Sequence, residues 1–332
     1  MADTLEVGYD EICGALAAKD MQPLWTQAAR LMPPKPIPAT LPWLWKWTTV
    51  LPLAEQAGRL ITIERGGERR VLALANPGLG GLPYTSSSLW GAVQYLGPHE
   101  AAPAHRHTPS AIRFVMQGSG VWTTVDGVAC DMKPGDLVLT PNWSWHDHTN
   151  AGDEPMAWFD GLDLPLVAGL ESVFFETYPE LMQRVEAKNS ALLRFPYEEA
   201  DRRLTDELAA GGGPSATLVY RRPDTGGHAV PTIGCQLQRL LPGARTAARR
   251  QAGSSIHVVF KGRGATVING QRFDWERGDI FVVPSWAAVD FEAAEPSDLF
   301  AVNDRPVLEA LGLYREEVLP EAQPVTGAFQ PK

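Results

Sequence analysis

Histidines are concentrated in one part of this chain, and imidazole is a common ligand for metal ions and a common carrier of protons. Five of the seven histidines lie between residues 99 and 148. His105 and His107 are two residues apart, so on a strand both side chains leave the same face and can reach one ion. A third ligand must come from elsewhere, and His146 and His148 are the candidates. The pattern predicts a metal site.

The elements that must position these imidazoles are predicted to be short strands. Between Ile61 and Pro165 the chain shows short β-rich runs separated by Gly, Pro, Asn and Asp, which is typical of a sandwich or barrel. Examples of such runs are Ile112 to Val115, Gly120 to Val125, Asp136 to Thr140 and Met156 to Gly161.

An internal repeat relates the two halves of the chain. Lys133-Pro134-Gly135-Asp136 and Pro141-Asn142-Trp143 in the first half match Glu276-Arg277-Gly278-Asp279 and Pro284-Ser285-Trp286 in the second. One β-domain is therefore predicted to occur twice. In the second copy, aligned on the shared glycines, the positions of His105, His107 and His146 are occupied by Arg249, Gln251 and Val289. We therefore expect one metal per chain, held by the first copy, and a structural, subunit-contact or lid role for the second.

The remaining segments are predicted to be helical or extended. Helical periodicity from Glu11 to Met32 precedes a Pro-rich connector, and the tryptophans of 43–47 are expected to bury against another domain or subunit, with ligand stacking as the alternative. Helix is also predicted over 167–193, followed by a Gly-rich linker over 201–215. The predicted layout is a helical arm (1–60), a metal-binding barrel (61–166), a helical connector with linker (167–215) and a metal-free barrel (216–332).

Composition and charge argue against some classes of function. The chain has 332 residues, with 29 Lys and Arg against 39 Asp and Glu, and a net charge of -10. This balance argues against binding to nucleic acid or anionic lipid. The acidic start and the lack of a long apolar run predict a cytoplasmic protein, and three scattered cysteines argue against disulfides or thiolate metal sites.

Three neutral imidazoles on a divalent ion leave a charge of +2 and open coordination positions, which favour anionic oxygen ligands. A substrate that chelates through a carboxylate and a neighbouring hydroxyl suits such a site. Fe(II) can also bind O₂, whereas Zn²⁺ is a closed-shell Lewis acid and cannot activate it. Arg113 lies an even number of residues after His107, so on an unbroken strand its guanidinium faces the metal and can hold a carboxylate.

Two motifs resemble those of the cupin superfamily. Gly135, Pro141, His146 and Asn150 match the second cupin motif, with Trp143 in place of its second Gly. The first motif is matched by the His105/His107 pair and its closing glycine, but its usual Glu is replaced by Ala111. The resemblance implies a mainly β, two-barrel (bicupin, jelly-roll) fold, with His105, His107 and His146 as an all-histidine ligand set.

Longer segments are similar to the gentisate 1,2-dioxygenase family of bicupin ring-cleaving dioxygenases. These segments are Leu89 to Gln94, Pro103 to Phe114 and Pro141 to His148. The resemblance implies Fe(II), a homotetramer, and cleavage of gentisate by O₂ to maleylpyruvate in aromatic catabolism. It also implies a substrate pocket lined or supported by Arg65, Arg69, Trp90, Gln94, Arg113, His148 and Asp160, of which Arg113, His148 and Asp160 are the candidate catalytic residues.

Other functions fit the same sequence. A sister enzyme acting on salicylate or 1-hydroxy-2-naphthoate can differ at only a few pocket residues, such as Ala92. From other classes, a non-catalytic cupin that binds a small carboxylate and a metal-dependent isomerase stay open. Oxygen uptake with gentisate distinguishes these alternatives.

Overall fold

A computed structural model describes residues 2–61, 70–211 and 213–331 of the chain. They form two compact units, of which the first ends at Ile37 and the second begins at Pro38. The helices are α1 (Ala2–Ala17), α2 (Ala28–Leu31), α3 (Trp47–Leu60), α4 (Leu164–Gly169), α5 (Tyr197–Ala209) and α6 (Arg305–Ala310), with 3-10 turns at Leu24–Thr26 and Pro77–Leu79. Within these residues, none of the helices has the length and apolar character needed to span a bilayer.

The described residues of the first unit form helices joined by turns and irregular segments. The continuous helical periodicity predicted from Glu11 to Met32 is interrupted after Ala17, where the chain turns through a left-handed residue, Asp20. Pro23 follows and cannot donate the backbone hydrogen bond that a continuing helix needs.

The second unit is mainly β, as predicted. Its first twelve strands after the connector are β1 (Trp43–Trp45), β2 (Val71–Ala73), β3 (Trp90–Leu96), β4 (Ala101–His107), β5 (Ala111–Gln117), β6 (Val121–Val125), β7 (Val128–Asp131), β8 (Leu137–Thr140), β9 (His146–Asn150), β10 (Met156–Leu162), β11 (Phe175–Thr177) and β12 (Ala187–Lys188). The remaining strands are β13 (Arg194–Phe195), β14 (Ser215–Val219), β15 (Gly234–Leu240), β16 (Arg249–Gln251), β17 (Ser255–Lys261), β18 (Arg263–Ile268), β19 (Gln271–Glu276), β20 (Ile280–Val283), β21 (Val289–Ala293), β22 (Ser297–Asn303), β23 (Glu316–Val318) and β24 (Gly327–Ala328).

These strands form four six-stranded sheets, two in each barrel. In the first barrel the sheet orders are β13-β8-β5-β10-β3-β2 and β11-β4-β9-β6-β7-β12. In the second they are β1-β20-β17-β22-β15-β14 and β23-β16-β21-β18-β19-β24. The two barrels have the same strand order, which explains the sequence repeat.

In each barrel, one edge strand of one sheet comes from the chain segment that precedes the other barrel. Strand β1 precedes the first barrel but pairs with β20 of the second, and β13 precedes the second barrel but pairs with β8 of the first. The tryptophans of β1 are therefore used to pack against the second barrel, in line with the predicted burial. Two of the predicted domain boundaries are crossed by these pairings, since β1 lies in the predicted arm and β13 in the predicted connector.

Buried aspartates fix the exchanged segments. Asp136 accepts hydrogen bonds from Arg194 and from the backbone N–H of Tyr197, at 2.7 to 2.9 Å. Asp279 in the second barrel accepts equivalent bonds from Lys46 and from the backbone N–H of Trp47. Both carboxylates are fully buried, so these partners are needed to offset their desolvation.

A shared apolar core joins the two barrels. Phe114 of β5 stacks on Phe300 of β22, with ring centroids 4.0 Å apart and planes within 5°. Both rings are fully buried, in a cluster that includes Ile112 from the first barrel and Val258 from the second. Because side chains alternate along β5, packing of Phe114 between the barrels places Arg113 on the opposite face.

The helix predicted over 167–193 is wrong beyond the end of α4 at Gly169. The segment instead contributes the short strands β11 and β12, which pair with β4 and β7 at the two edges of one sheet. Pairing at the sheet edges gives the backbone N–H and C=O groups of this segment hydrogen-bond partners. The segment therefore forms short strands although its sequence has helical periodicity. The linker predicted over 201–215 is also mostly wrong, since α5 continues to Ala209.

Candidate metal centre and substrate pocket

The three predicted metal ligands lie on two neighbouring antiparallel strands. His105 of β4 is directly opposite His146 of β9, and a β-bulge precedes His105. The ring of His146 lies 4.3 Å from that of His105 and 4.8 Å from that of His107, measured between centroids. One ligand nitrogen from each histidine lies within 4.8 Å of the other two. The sheet register therefore brings together the set that the sequence predicted.

Backbone carbonyls orient all three imidazoles in the same way. The Nδ1 atoms of His105, His107 and His146 lie 3.0, 2.7 and 3.0 Å from the carbonyl oxygens of Pro103, Pro109 and Ser144. An Nδ1–H that donates to a carbonyl leaves Nε2 unprotonated and available to a metal. Each carbonyl belongs to a residue two positions away, so the local chain sets the ligand orientation.

The electrostatics favour the neutral forms of His107 and His146, as metal binding requires. Burial lowers the pKa of His107 to about 4, and the neighbouring His105 adds to this effect. Burial and Arg113 hold the pKa of His146 well below its usual range. Ala111, where cupins usually carry Glu, lines the same cavity and supplies no carboxylate. The donor set thus fits a divalent ion with positions left open for substrate.

His148 lies near this cluster but is held by a different partner. Its Nδ1 is 2.8 Å from Oγ1 of Thr123 on β6. The Thr123 hydroxyl donates to Sδ of Met132, so its oxygen accepts the Nδ1–H of His148. Nε2 of His148 is then left as a proton acceptor on the cavity side. Burial, with Arg113, lowers the pKa of His148 well below its usual range, which agrees with a neutral ring.

Arg113 is a buried cation whose hydrogen-bonding capacity is only partly used. One Nη donates to Thr140, and Nε lies 3.5 Å from Oδ1 of Asp160. This Nε is buried and makes no hydrogen bond within the described part of the chain. Burial raises the pKa of Asp160 to about 6, although Arg113 opposes the shift. Asp160 also accepts a hydrogen bond from Nε1 of Trp158, at 3.1 Å. A guanidinium in this state is suited to an anionic ligand.

These groups share one cavity of about 440 Å³, which is large enough for a single-ring aromatic acid. Besides the three histidines, it is lined by the predicted residues Trp90, Gln94, Arg113, His148 and Asp160. Arg65 and Arg69 lie outside the described residues. The cavity thus places five predicted pocket residues beside the metal cluster.

Several pocket residues were missed by sequence reasoning. Phe175 of β11 stacks on His105 with centroids 5.3 Å apart, and it lies in the segment that was predicted to be helical. A strand assignment next to β4 is the signal that could have found it. Leu162 at the end of β10, Leu164 at the start of α4 and Val71 of β2 form the apolar part of the wall.

The second barrel has the same register without the ligands. Arg249 of β16 is opposite Val289 of β21, just as His105 is opposite His146 in the first barrel. In the part of the chain that the structure describes, the His105/His107/His146 cluster alone groups three potential metal ligands.

Comparisons with known proteins agree with this geometry. The family model of the cupin domain matches residues 92–163. The chain is 44% identical to the gentisate 1,2-dioxygenase of a Streptomyces species, over 92% of this chain and 94% of that protein. It is 35% identical to the 1-hydroxy-2-naphthoate 1,2-dioxygenase of Nocardioides sp. strain KP7, over 86% of this chain and 81% of that protein. The salicylate 1,2-dioxygenase of Pseudoaminobacter salicylatoxidans, solved as adducts with gentisate, superimposes with a TM-score of 0.88 at 39% identity, covering 95% of this chain and 94% of that one. The predicted two-barrel cupin fold is confirmed.

Proposed function

Because this chain belongs to the gentisate 1,2-dioxygenase family of ring-cleaving dioxygenases, we propose that it converts gentisate and O₂ to maleylpyruvate. The observation that carries the proposal is the joint presence, in one cavity, of an all-histidine cluster and a buried, incompletely paired arginine. The cluster suits a metal that accepts a chelating substrate, and the arginine suits the substrate's carboxylate.

The metal of the proposal is Fe(II), one per chain, held by His105, His107 and His146. Bound there, Fe(II) would supply the redox-active centre that brings an electron-rich chelating substrate and O₂ together. Three neutral ligands suit this role, because their complex keeps its full positive charge for an anionic substrate. Family resemblance further supports a homotetramer in the cytoplasm.

Arg113 would bind the carboxylate of gentisate. Its Nε has no hydrogen-bond acceptor in the described residues, and Asp160 at 3.5 Å keeps the guanidinium in place. A carboxylate at this point would satisfy the buried donor and fix the ring relative to the histidine cluster. Trp90 and Gln94 of β3, with Phe175 on the other side, would form the walls around the ring.

His148 would accept the proton of the substrate's 2-hydroxyl. Its Nδ1–H is held by Thr123, so its free lone pair is at Nε2. Removing the hydroxyl proton at that atom would increase the electron density of the ring, to which the 5-hydroxyl also contributes from the para position. Asp160 would orient Arg113, which would hold the substrate's carboxylate in place during this proton transfer.

A second candidate substrate class is favoured by the relatives that act on salicylate and on 1-hydroxy-2-naphthoate. Ala92 lies on β3 between Trp90 and Gln94, is fully buried and pairs with Asp160, so a change at this one position alters the pocket wall. The activating 5-hydroxyl is absent from both alternative substrates, and we therefore place gentisate first.

The proposal is tested by steady-state kinetics on Fe(II)-reconstituted protein with gentisate, salicylate and 1-hydroxy-2-naphthoate, followed at the ultraviolet band of the ring-opened product and by O₂ uptake. We expect the highest kcat/KM for gentisate. A higher value for salicylate or hydroxynaphthoate would transfer the assignment to that substrate. No O₂ uptake with any of them would favour a carboxylate-binding cupin or an isomerase.

A further inference from the structure

The second barrel keeps an open cavity at the position where the first barrel holds its histidine cluster. This cavity has a volume of about 510 Å³, similar to the 440 Å³ of the first. Arg249, Gln251 and Val289 line it at the positions of His105, His107 and His146. The second barrel therefore lacks histidines at these positions, and side chains do not fill the space.

The strand register shows which side chains of β16 face this cavity. Arg250, between Arg249 and Gln251, pairs with Glu317 at 2.8 Å and lies over the ring of Trp286. Arg106 of β4 behaves in the same way, pairing with Glu176 and lying over Trp143. Since side chains alternate along a strand, Arg249 and Gln251 face inward, as the two histidines of β4 do.

The charges around the cavity leave one cation without a partner. Arg245 lies 3.4 Å from Asp290, and Arg305 pairs with Glu309 at 2.6 Å. Glu316, the acidic residue of the wall, lies 3.8 Å from Arg305. In contrast, Arg249 has neither an ion pair nor a side-chain hydrogen bond within the described residues. Arg249 is a solvent-exposed residue that lines this open cavity, in a protein whose net charge is -10.

The remaining wall combines polar and apolar groups, as sites for small organic ligands do. Gln238 occupies the position of Gln94. Gln238 is the fifth residue of β15, and Gln94 is the fifth residue of β3, the matching strand of the first barrel. His257 of β17 occupies the position of Arg113 and shares a hydrogen bond with Ser255 at 2.9 Å. Val289 and Phe291 supply an apolar surface.

We propose that the second barrel is a metal-free binding site for a small organic acid, whose carboxylate pairs with Arg249. The guanidinium replaces the metal ion as the positive centre, and the apolar wall contacts the body of the ligand. This site stands independently of the activity proposed for the first barrel.

The test is calorimetric titration of the intact, iron-loaded protein with benzoate under nitrogen, because benzoate has a carboxylate but no chelating hydroxyl. We expect a binding phase that Arg249→Gln weakens by about tenfold or more, as for loss of a charged hydrogen bond. The same phase should persist in Arg113→Gln, which acts only on the first barrel. Arg250→Gln, the outward neighbour, is the matched control and should not change it.

A second variant keeps the test valid if Arg249→Gln is poorly folded. Val289→Asp places a carboxylate opposite Arg249 and should remove the same phase by pairing with it internally. The proposal is overturned if no phase depends on Arg249, if Arg250→Gln has an equal effect, or if inorganic phosphate binds as tightly as benzoate, since the site would then recognise charge alone.

Discussion

At the scale of a single residue, Arg113 is both buried and charged, and both properties bear on the proposed recognition of the substrate. Its side chain is 4% exposed, and Asp160, its charged neighbour, has a pKa raised to about 6 by burial. A buried cation with an unused donor is costly for the fold unless a ligand completes its bonding. Stability alone therefore does not explain this arrangement, whereas the proposed binding of a carboxylate would complete the bonding of Arg113.

We predict that Arg113→Ala lowers kcat/KM for gentisate by about 30- to 1000-fold, corresponding to a lost charged contact of roughly 2 to 4 kcal/mol. Hydroquinone, which is gentisate without its carboxylate, should be a very poor substrate of the wild-type protein. Steady-state kinetics with both compounds check this. Comparable rates on the two, or indifference of gentisate turnover to the substitution, would show that the pocket does not recognise the carboxylate.

His148 provides a second residue-scale prediction, because its proposed role is separate from metal binding. His148→Ala should keep its iron and lose most of its activity. Thr123→Val, which removes the acceptor of the Nδ1–H, should lower kcat by about tenfold while leaving iron content unchanged.

The second barrel offers a matched control for Thr123. Thr266 occupies the same register position, opposite Phe291 where Thr123 is opposite His148. Thr266→Val removes an equally buried hydroxyl away from the cluster, so it should leave kcat unchanged.

Loss of iron in His148→Ala, measured by metal analysis, would instead make His148 a ligand.

At the scale of elements, the exchanged strands determine how the barrels are joined. The turn glycines Gly135 and Gly278 have φ of +87° and +93° and approach the rings of Tyr197 and Trp47, which begin α5 and α3. A Cβ at Gly278 would lie 2.3 Å from Cγ of Trp47. These turns therefore admit only glycine, both for backbone conformation and for space.

We predict that Gly278→Ala lowers the free energy of unfolding by about 3 kcal/mol, through a left-handed Ala and a steric conflict with Trp47. Gly243 also has a positive φ, of +74°, but its Cβ would meet nothing within 4 Å. Gly243→Ala should therefore cost only about 1 kcal/mol. Urea unfolding of the two variants compares them, and equal losses would mean that the contact with α3 contributes nothing.

Strands and helices could be predicted where a local sequence pattern determines them. They were harder to predict where pairing with a distant strand determines the structure. The runs at Ile112 and Met156 alternate with turn residues, and both are strands in the structure. The helical pattern after Gly169 was overridden by edge pairing, which also concealed Phe175. The strand exchange of β1 had only an indirect signal, the clustered tryptophans, since pairing partners far apart in sequence leave no local pattern.

At the scale of the whole molecule, the two barrels share one strand order, and among the described residues the histidine cluster lies in the first barrel. The repeat could be found from sequence because turn glycines and prolines recur at fixed spacing. The histidine cluster could be found because two histidines on one strand and a third near a later turn are a specific pattern. The state of Arg113 depends on Thr140 and Asp160, which come from other strands of the assembled barrel, and could not be predicted.

We predict one iron per intact chain, since the cluster occurs in the first barrel and its counterpart in the second is Arg249, Gln251 and Val289. Metal analysis must use the whole protein, because each barrel takes a strand from the segment that leads into the other. His146→Ala should lose both iron and turnover while retaining its secondary structure. Two irons per chain, or full activity of His146→Ala, would disprove the assignment.

The most direct measurement of the central claim is the stoichiometry of O₂ to gentisate in Fe(II)-reconstituted protein, with product formation followed in the same sample. The account predicts one O₂ consumed for each gentisate and each maleylpyruvate formed. It also predicts that added catalase returns no O₂, because both oxygen atoms enter the product. Turnover of gentisate without O₂ uptake, or release of hydrogen peroxide in place of ring-opened product, would contradict it.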